Sequence, residues 1–112
     1  TKTRRSQQSM ASSSSSPTIT TCKGSIRGKR LIDEPDFTAD AYLGVPYARP
    51  PLGELRFKKP SPTLEWAGTR DCIQHPAKCV QQLSELLSQN DKDWPASEDC
   101  LYLNVFCPGD YQ

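Results

Sequence analysis

The stretch Ser97–Pro108, SEDCLYLNVFCP, decides how this chain is read. Three residues rich in hydrogen-bond acceptors lead into Cys100. Leu101–Phe106 then places apolar side chains on both faces, with Asn104 the one polar interruption, and Cys107-Pro108 closes the run. Apolar residues on both faces are the pattern of a strand buried in the middle of a sheet rather than at its edge. Cys100 stands at the mouth of that strand, and the sequence ends at Gln112, four residues after Pro108.

Outward from this strand the composition is lean. The 112 residues suit one small domain or part of a larger one. Hydrophobic residues make up 35%, and ten prolines commit much of the chain to loop or extended segment, so no large core is expected from this length alone. Fourteen Lys and Arg face thirteen Asp and Glu. That balance gives no electrostatic reason to expect nucleic acid or an anionic membrane as partner. No run of about 18 apolar residues exists, so no membrane span is expected. Residues 1–21 are basic and then serine-rich, without the apolar centre of a signal peptide. The first residue is Thr1 rather than Met, which reads as a processed or partial sequence. Five cysteines, Cys22, Cys72, Cys79, Cys100 and Cys107, point to an oxidising compartment. Their odd number leaves at least one thiol free or paired outside the chain. No Cys-x-x-Cys pair occurs and His75 is the only histidine, so neither a metal nor a cofactor is expected.

Residues 1–16 form a polar, low-complexity lead expected to be disordered, because they carry too little apolar surface to offset the entropy of ordering. From Pro17 to Ile32, β-branched residues before Lys23-Gly24 and apolar ones after it read as a β-hairpin at a sheet edge or on the surface, with Gly24 in the turn or a bulge. Asp33–Asp40, with four acids and a proline, reads as a solvated turn. Ala41–Ala48 reads as a short buried strand, and Arg49–Gly53 as a proline-pinned bend. Trp66-Ala67-Gly68 gives one large anchor and a turn. Val80, Leu83, Leu86 and Leu87 share one face of a helix over 80–89, too short to stand without a surface beneath it.

Catalytic chemistry is hard to find in these residues. No serine sits in a G-x-S-x-G elbow, and His75-Pro76 lies in a loop between cysteines, where a surface histidine is the simpler reading. The acids Asp33, Glu34, Asp36 and Asp40 lack the glycine and terminal glutamate of a calcium loop. No catalytic residue is assigned.

Two long motifs and three short ones do resemble a known family. Tyr42–Phe57, YLGVPYARPPLGELRF, is similar to the N-terminal block of type-B carboxylesterases and cholinesterases. Glu98–Pro108, EDCLYLNVFCP, is similar to that family's second signature, built on a cysteine. Trp66–Asp71 resembles its Trp-x-Gly segment, Cys79 with Gln81 its Cys-x-Gln, and Pro17–Gly28 its opening hairpin. The resemblance implies an α/β fold: residues 17–112 would be the N-terminal part of an α/β-hydrolase domain, mostly strand and loop with one short helix, truncated before its catalytic region. It implies a secreted or endoplasmic-reticulum serine esterase acting on small-molecule esters. The family's glycine-rich oxyanion segment, serine elbow, acid and histidine all follow the second signature, so this chain alone is expected to be inactive. A non-catalytic cholinesterase-like adhesion ectodomain shares the same region and is the alternative.

The resemblance also assigns two pairs. It implies a disulfide between Cys79 and Cys100, closing a loop of about 20 residues and worth roughly 3 kcal/mol in the chain-entropy account. It implies an ion pair between Arg56 and Glu98, whose guanidinium and carboxylate can share two parallel hydrogen bonds. Buried, such a pair costs about 3–5 kcal/mol to break; exposed, it is weak. Trp94 does not match the offset of the cholinesterase loop tryptophan and reads as a packing residue. Cys22, Cys72 and Cys107 sit where the family often has other residues, and a bridge from Cys22 to either of the others stays open.

Overall fold

The computed structural model describes residues 16–81 and 95–109. The expected helix over 80–89 and Trp94 therefore lie almost wholly outside the described residues. Within them the chain is strand and loop, with one 3-10 turn at Gly53–Leu55.

Strands β1 (Thr18–Thr21) and β2 (Gly24–Arg27) form an antiparallel hairpin across Cys22-Lys23. The Thr21 hydroxyl fixes the turn. It accepts from the amides of Lys23 and Gly24, both at 3.2 Å, and donates to the Gly24 carbonyl at 2.7 Å. Gly24 belongs to the strand rather than to the turn, at φ +150°. A side chain there would strike the indole of Trp66. Trp66 lies over this spot because its Nε1–H donates to the Ser25 carbonyl at 2.9 Å and its amide to Lys23 at 2.9 Å. Gly68, at φ +74°, then turns the chain into β5 (Thr69–Asp71), which pairs in parallel with β2.

The apolar residues after Gly24 do not stay in one hairpin. Ile26 is in β2, whereas Leu31 and Ile32 are in β3 (Lys29–Glu34), which belongs to a second sheet with β4 (Phe37–Pro46) and β8 (Tyr102–Pro108), in the order β3-β4-β8. The hairpin is not merely superficial either, since Ile26 is buried. The reading of Asp33–Asp40 as a solvated turn needs correction. The turn is only Pro35-Asp36; β4 begins at Phe37 and runs ten residues to Pro46, pairing antiparallel with β3. Asp40 is 1% exposed, not solvated. Four acids hid a strand because the buried one has a cation beside it: Arg30 Nε donates to Asp40 Oδ1 at 2.5 Å. Arg30 also approaches Asp33, at 3.8 Å.

β8 (Tyr102–Pro108) pairs antiparallel with β4. The register shifts between Tyr42 and Val45, and there Gly44 takes φ +74°. Asn104 explains itself at this bulge: its Oδ1 accepts the Gly44 amide at 3.0 Å, the donor that the irregular ladder leaves over. β8 is not central among the described residues. It occupies a sheet edge, and Leu103, Val105 and Phe106 are exposed, Phe106 by 59%. Its two-sided apolar pattern is written for neighbours that the described residues do not supply.

Cys72 hydrogen-bonds to both sheets. The Cys72 amide donates to the Arg27 carbonyl and its own carbonyl accepts from Leu43, each at 2.8 Å. Ile26, Tyr42 and Cys72 form the buried cluster, with Ile19, Val45, Trp66 and Cys107 packed against it. Small as it is, this cluster holds β2, β4 and the end of β5 in one body.

Candidate functional site

The segments singled out in the sequence converge around the base of a loop. β6 (Lys78–Cys79) and β7 (Ala96–Ser97) pair in parallel, with Lys78 donating to the Pro95 carbonyl at 3.1 Å. This pairing brings Cys79 to the residues before Cys100. The two sulfurs are bonded, with the Cα atoms 5.1 Å apart and the two cysteines 21 positions apart in sequence. The Gln81 side chain turns back to donate to the Cys79 carbonyl at 3.2 Å. Spacing two residues after a cysteine thus has a local purpose, tying the chain as it leaves the bridge.

Glu98, two residues before Cys100, accepts from Arg56 Nε at 2.5 Å. Both side chains are about half exposed, 52% and 48%. Solvent screens such a pair, so it aligns the Arg49–Lys59 bend with the start of β8 more than it stabilises the fold. The same guanidinium lies 4.5 Å from the ring centre of Phe57, which is 90% exposed and holds φ +63°.

Asp99 and Tyr102 continue the junction. Ser97 Oγ accepts the Asp99 amide at 3.1 Å, and the Tyr102 hydroxyl donates to Asp99 Oδ1 at 2.8 Å. Burial, and then the hydrogen bond and charge of Asp99, raise the Tyr102 pKa above its ordinary value. Leu43, Arg70, His75, Ser97, Asp99 and Tyr102 help line a concavity of about 520 Å³ beside this junction. His75 is on its exposed wall. Arg70, reaching over the Trp66 ring at 5.8 Å, connects the concavity to the first sheet.

The three remaining cysteines are free thiols. Cys22 is exposed at the hairpin tip, Cys72 is buried and Cys107 is half-buried, so no Cys22 bridge to either partner forms. Burial raises the Cys72 pKa and the Asp71 charge adds to this, while Arg70 opposes both. Among the described residues, no group of three or more His, Cys, Asp or Glu is arranged to hold a metal ion.

Two features here escaped the sequence reading. The Arg30–Asp40 pair had no local signal, since its members stand ten positions apart across a turn. The Asn104–Gly44 contact had one, a lone polar residue in an apolar strand facing a glycine in the other motif.

A model of the carboxylesterase family matches residues 15–112. Cocaine esterase of Homo sapiens is 43% identical over 103 residues, covering 85% of this chain but 18% of its own length. Carboxylesterase 1D of Mus musculus is 40% identical over 107 residues, covering 87% of this chain and 19% of its own. Acetylcholinesterase-1 of Trittame loki is 43% identical over 93 residues, covering 82% and 17%. The chain thus spans less than a fifth of the length of these relatives.

Proposed function

This chain belongs to the carboxylesterase family, and we propose that it forms the N-terminal part of a serine ester hydrolase of α/β-hydrolase fold, secreted or resident in the endoplasmic reticulum. The observation that carries the reading is the match over residues 15–112, which takes in both signature segments in order. Relatives named as esterases across that span support ester hydrolysis as the reaction and small carboxylic esters as the substrate class.

In this reading the chain's own residues build rather than react. β4 and β8 begin the sheet that carries the chemistry. The Cys79–Cys100 bridge closes a loop beside the concavity at Asp99 and Tyr102, and Arg56–Glu98 fixes the approach to β8. The nucleophile, acid and histidine are supplied by sequence after Gln112. The disulfide supports an oxidising compartment.

The test is to read the coding sequence on past Gln112 and assay both products with p-nitrophenyl acetate. A glycine-rich segment followed by a G-x-S-x-G elbow is expected, with turnover by the longer product. The 112-residue chain is expected to give no turnover above a buffer blank. Turnover by the short chain, or a continuing sequence whose elbow lacks serine, overturns the reading; the second outcome is that of a non-catalytic ectodomain.

A further inference from the structure

Residues Arg27-Gly28-Lys29-Arg30 place arginines at the fourth and first positions, and a lysine at the second, before the Arg30–Leu31 bond. Endoproteases specific for paired basic residues read this pattern, using acidic pockets for the basic side chains and an extended substrate backbone for the rest. Such a protease binds its substrate as an added strand, through main-chain hydrogen bonds as well as side chains. The neutral balance of this chain makes a cluster of three basic residues in four stand out, and the mechanism proposed above gives it no use.

The fold leaves the cluster extended but occupied. Arg30, which must enter the primary pocket, is tied to the buried Asp40 at 2.5 Å. Arg27 is tied to Asp71 at 2.6 Å. The backbone is engaged as well. The Arg27 carbonyl accepts from Cys72 at 2.8 Å, and the Gly28 amide donates to Pro17 at 2.8 Å. Gly28 is itself buried, against Ala41 and the Tyr42 ring. Lys29 and Arg30 pair with Ala41 and Asp40 in the β3–β4 ladder. Only Lys29 is exposed. The one favourable circumstance is that β3 is an edge strand of its sheet among the described residues, so local opening of β3 and the 27–28 link would present the whole motif.

We propose that the Arg30–Leu31 bond is a latent cleavage site for a paired-basic endoprotease, latched shut by the buried Arg30–Asp40 ion pair within the β3–β4 ladder and released when β3 opens. Water hydrolyses the peptide bond, leaving a new carboxylate on Arg30 and a new amine on Leu31. Cleavage would separate β1 and β2 from the remaining strands and remove Ile26 from the core cluster, so that refolding of the remainder loses one of its three fully packed members. The protease would meet the chain in the oxidising compartment proposed above, but the cleavage chemistry does not depend on esterase activity.

The experiment uses purified furin on three forms of the full chain: unchanged, Asp40→Asn, and an unfolded reference carrying Ile26→Asp with Tyr42→Asp. Mass spectrometry reads the appearance of a new N-terminus at Leu31. The unfolded reference is expected to be cut at this bond, the unchanged chain about a hundredfold more slowly, and Asp40→Asn at least about tenfold faster than the unchanged chain. Hydrogen exchange at Arg30 and at Tyr42, measured alongside, separates release of β3 from loss of the whole fold. Lack of cleavage at Arg30 in the unfolded reference overturns the site. Equal rates for the unchanged and unfolded chains overturn the latch. Cleavage of Asp40→Asn that follows exchange at Tyr42 rather than at Arg30 overturns the role given to β3.

Discussion

Asp40 shows how one residue changes the reading of a segment. A carboxylate leaving water without a partner costs several kcal/mol, so burial requires a cation at hydrogen-bond distance. Arg30 provides it, and the pair sits where β3 and β4 lie side by side. Asp40→Ala would leave the largely buried guanidinium with only the more distant, half-exposed Asp33 as counter-charge. A loss of about 3 kcal/mol is expected, read as a lowered urea midpoint; a loss under about 1 kcal/mol would mean the pair is screened after all. The thiols make a second residue-scale case. Cys22 is expected to react promptly with a disulfide reagent at neutral pH, while Cys72 reacts only as fast as the core opens. Cys72 and Tyr102 both have raised pKa values in the folded chain, so the unfolded chain releases these protons first as pH rises. Their contributions to stability are therefore whole below the ordinary values of 9.0 and 10.0 and are lost as pH climbs through and beyond them. A denaturation midpoint that stays flat from pH 8 to 11 would contradict this.

At the scale of elements, the bulge in β4 is where the two family motifs meet. The register shift at Tyr42–Val45 frees the Gly44 amide, and Asn104 reaches across from β8 to accept it. Asn104→Leu keeps the apolar pattern of the strand yet removes that acceptor. Because the contact is exposed, water replaces part of it, and a cost of about 1 kcal/mol with faster exchange at Gly44 is expected. No change in Gly44 exchange would remove the bulge from the account. The Cys79–Cys100 loop is the other such element. Replacing both cysteines by alanine should cost about 3 kcal/mol in the chain-entropy account, measured as the shift in urea midpoint. A shift near zero would mean that the β6–β7 pairing already closes the loop. These elements were legible to different degrees. Trp66 and Gly68 declared an anchor and a turn by residue type alone. β4 was read as starting four residues late, at Ala41, and ending two residues late, at Ala48; the late start came because Pro35 and the acids around it outweighed Phe37 and Thr38. A strand's acid cannot be told from a turn's until its partner is known, and Arg30 lies across the turn.

For the whole molecule, the exposed apolar side chains of β8 are the most instructive feature. The sequence of Leu101–Phe106 is that of an interior strand, yet Leu103, Val105 and Phe106 face solvent. Strand pattern and strand position agree once the chain is seen as less than a fifth of the length of relatives such as cocaine esterase and carboxylesterase 1D. The motifs that reveal the family were fully legible, because they combine glycines, prolines and a cysteine whose backbone and covalent demands fix their order. The proposed reaction rests on that resemblance alone, since among the described residues no serine sits in a G-x-S-x-G elbow. The most direct measurement is therefore made on the native polypeptide that carries this segment, captured with an antibody against the Tyr42–Phe57 block and treated with a fluorophosphonate probe. The account predicts one covalent label per chain, on a serine beyond Gln112, and loss of ester hydrolysis in step with labelling. A captured polypeptide that takes up no label and turns over no ester would contradict it.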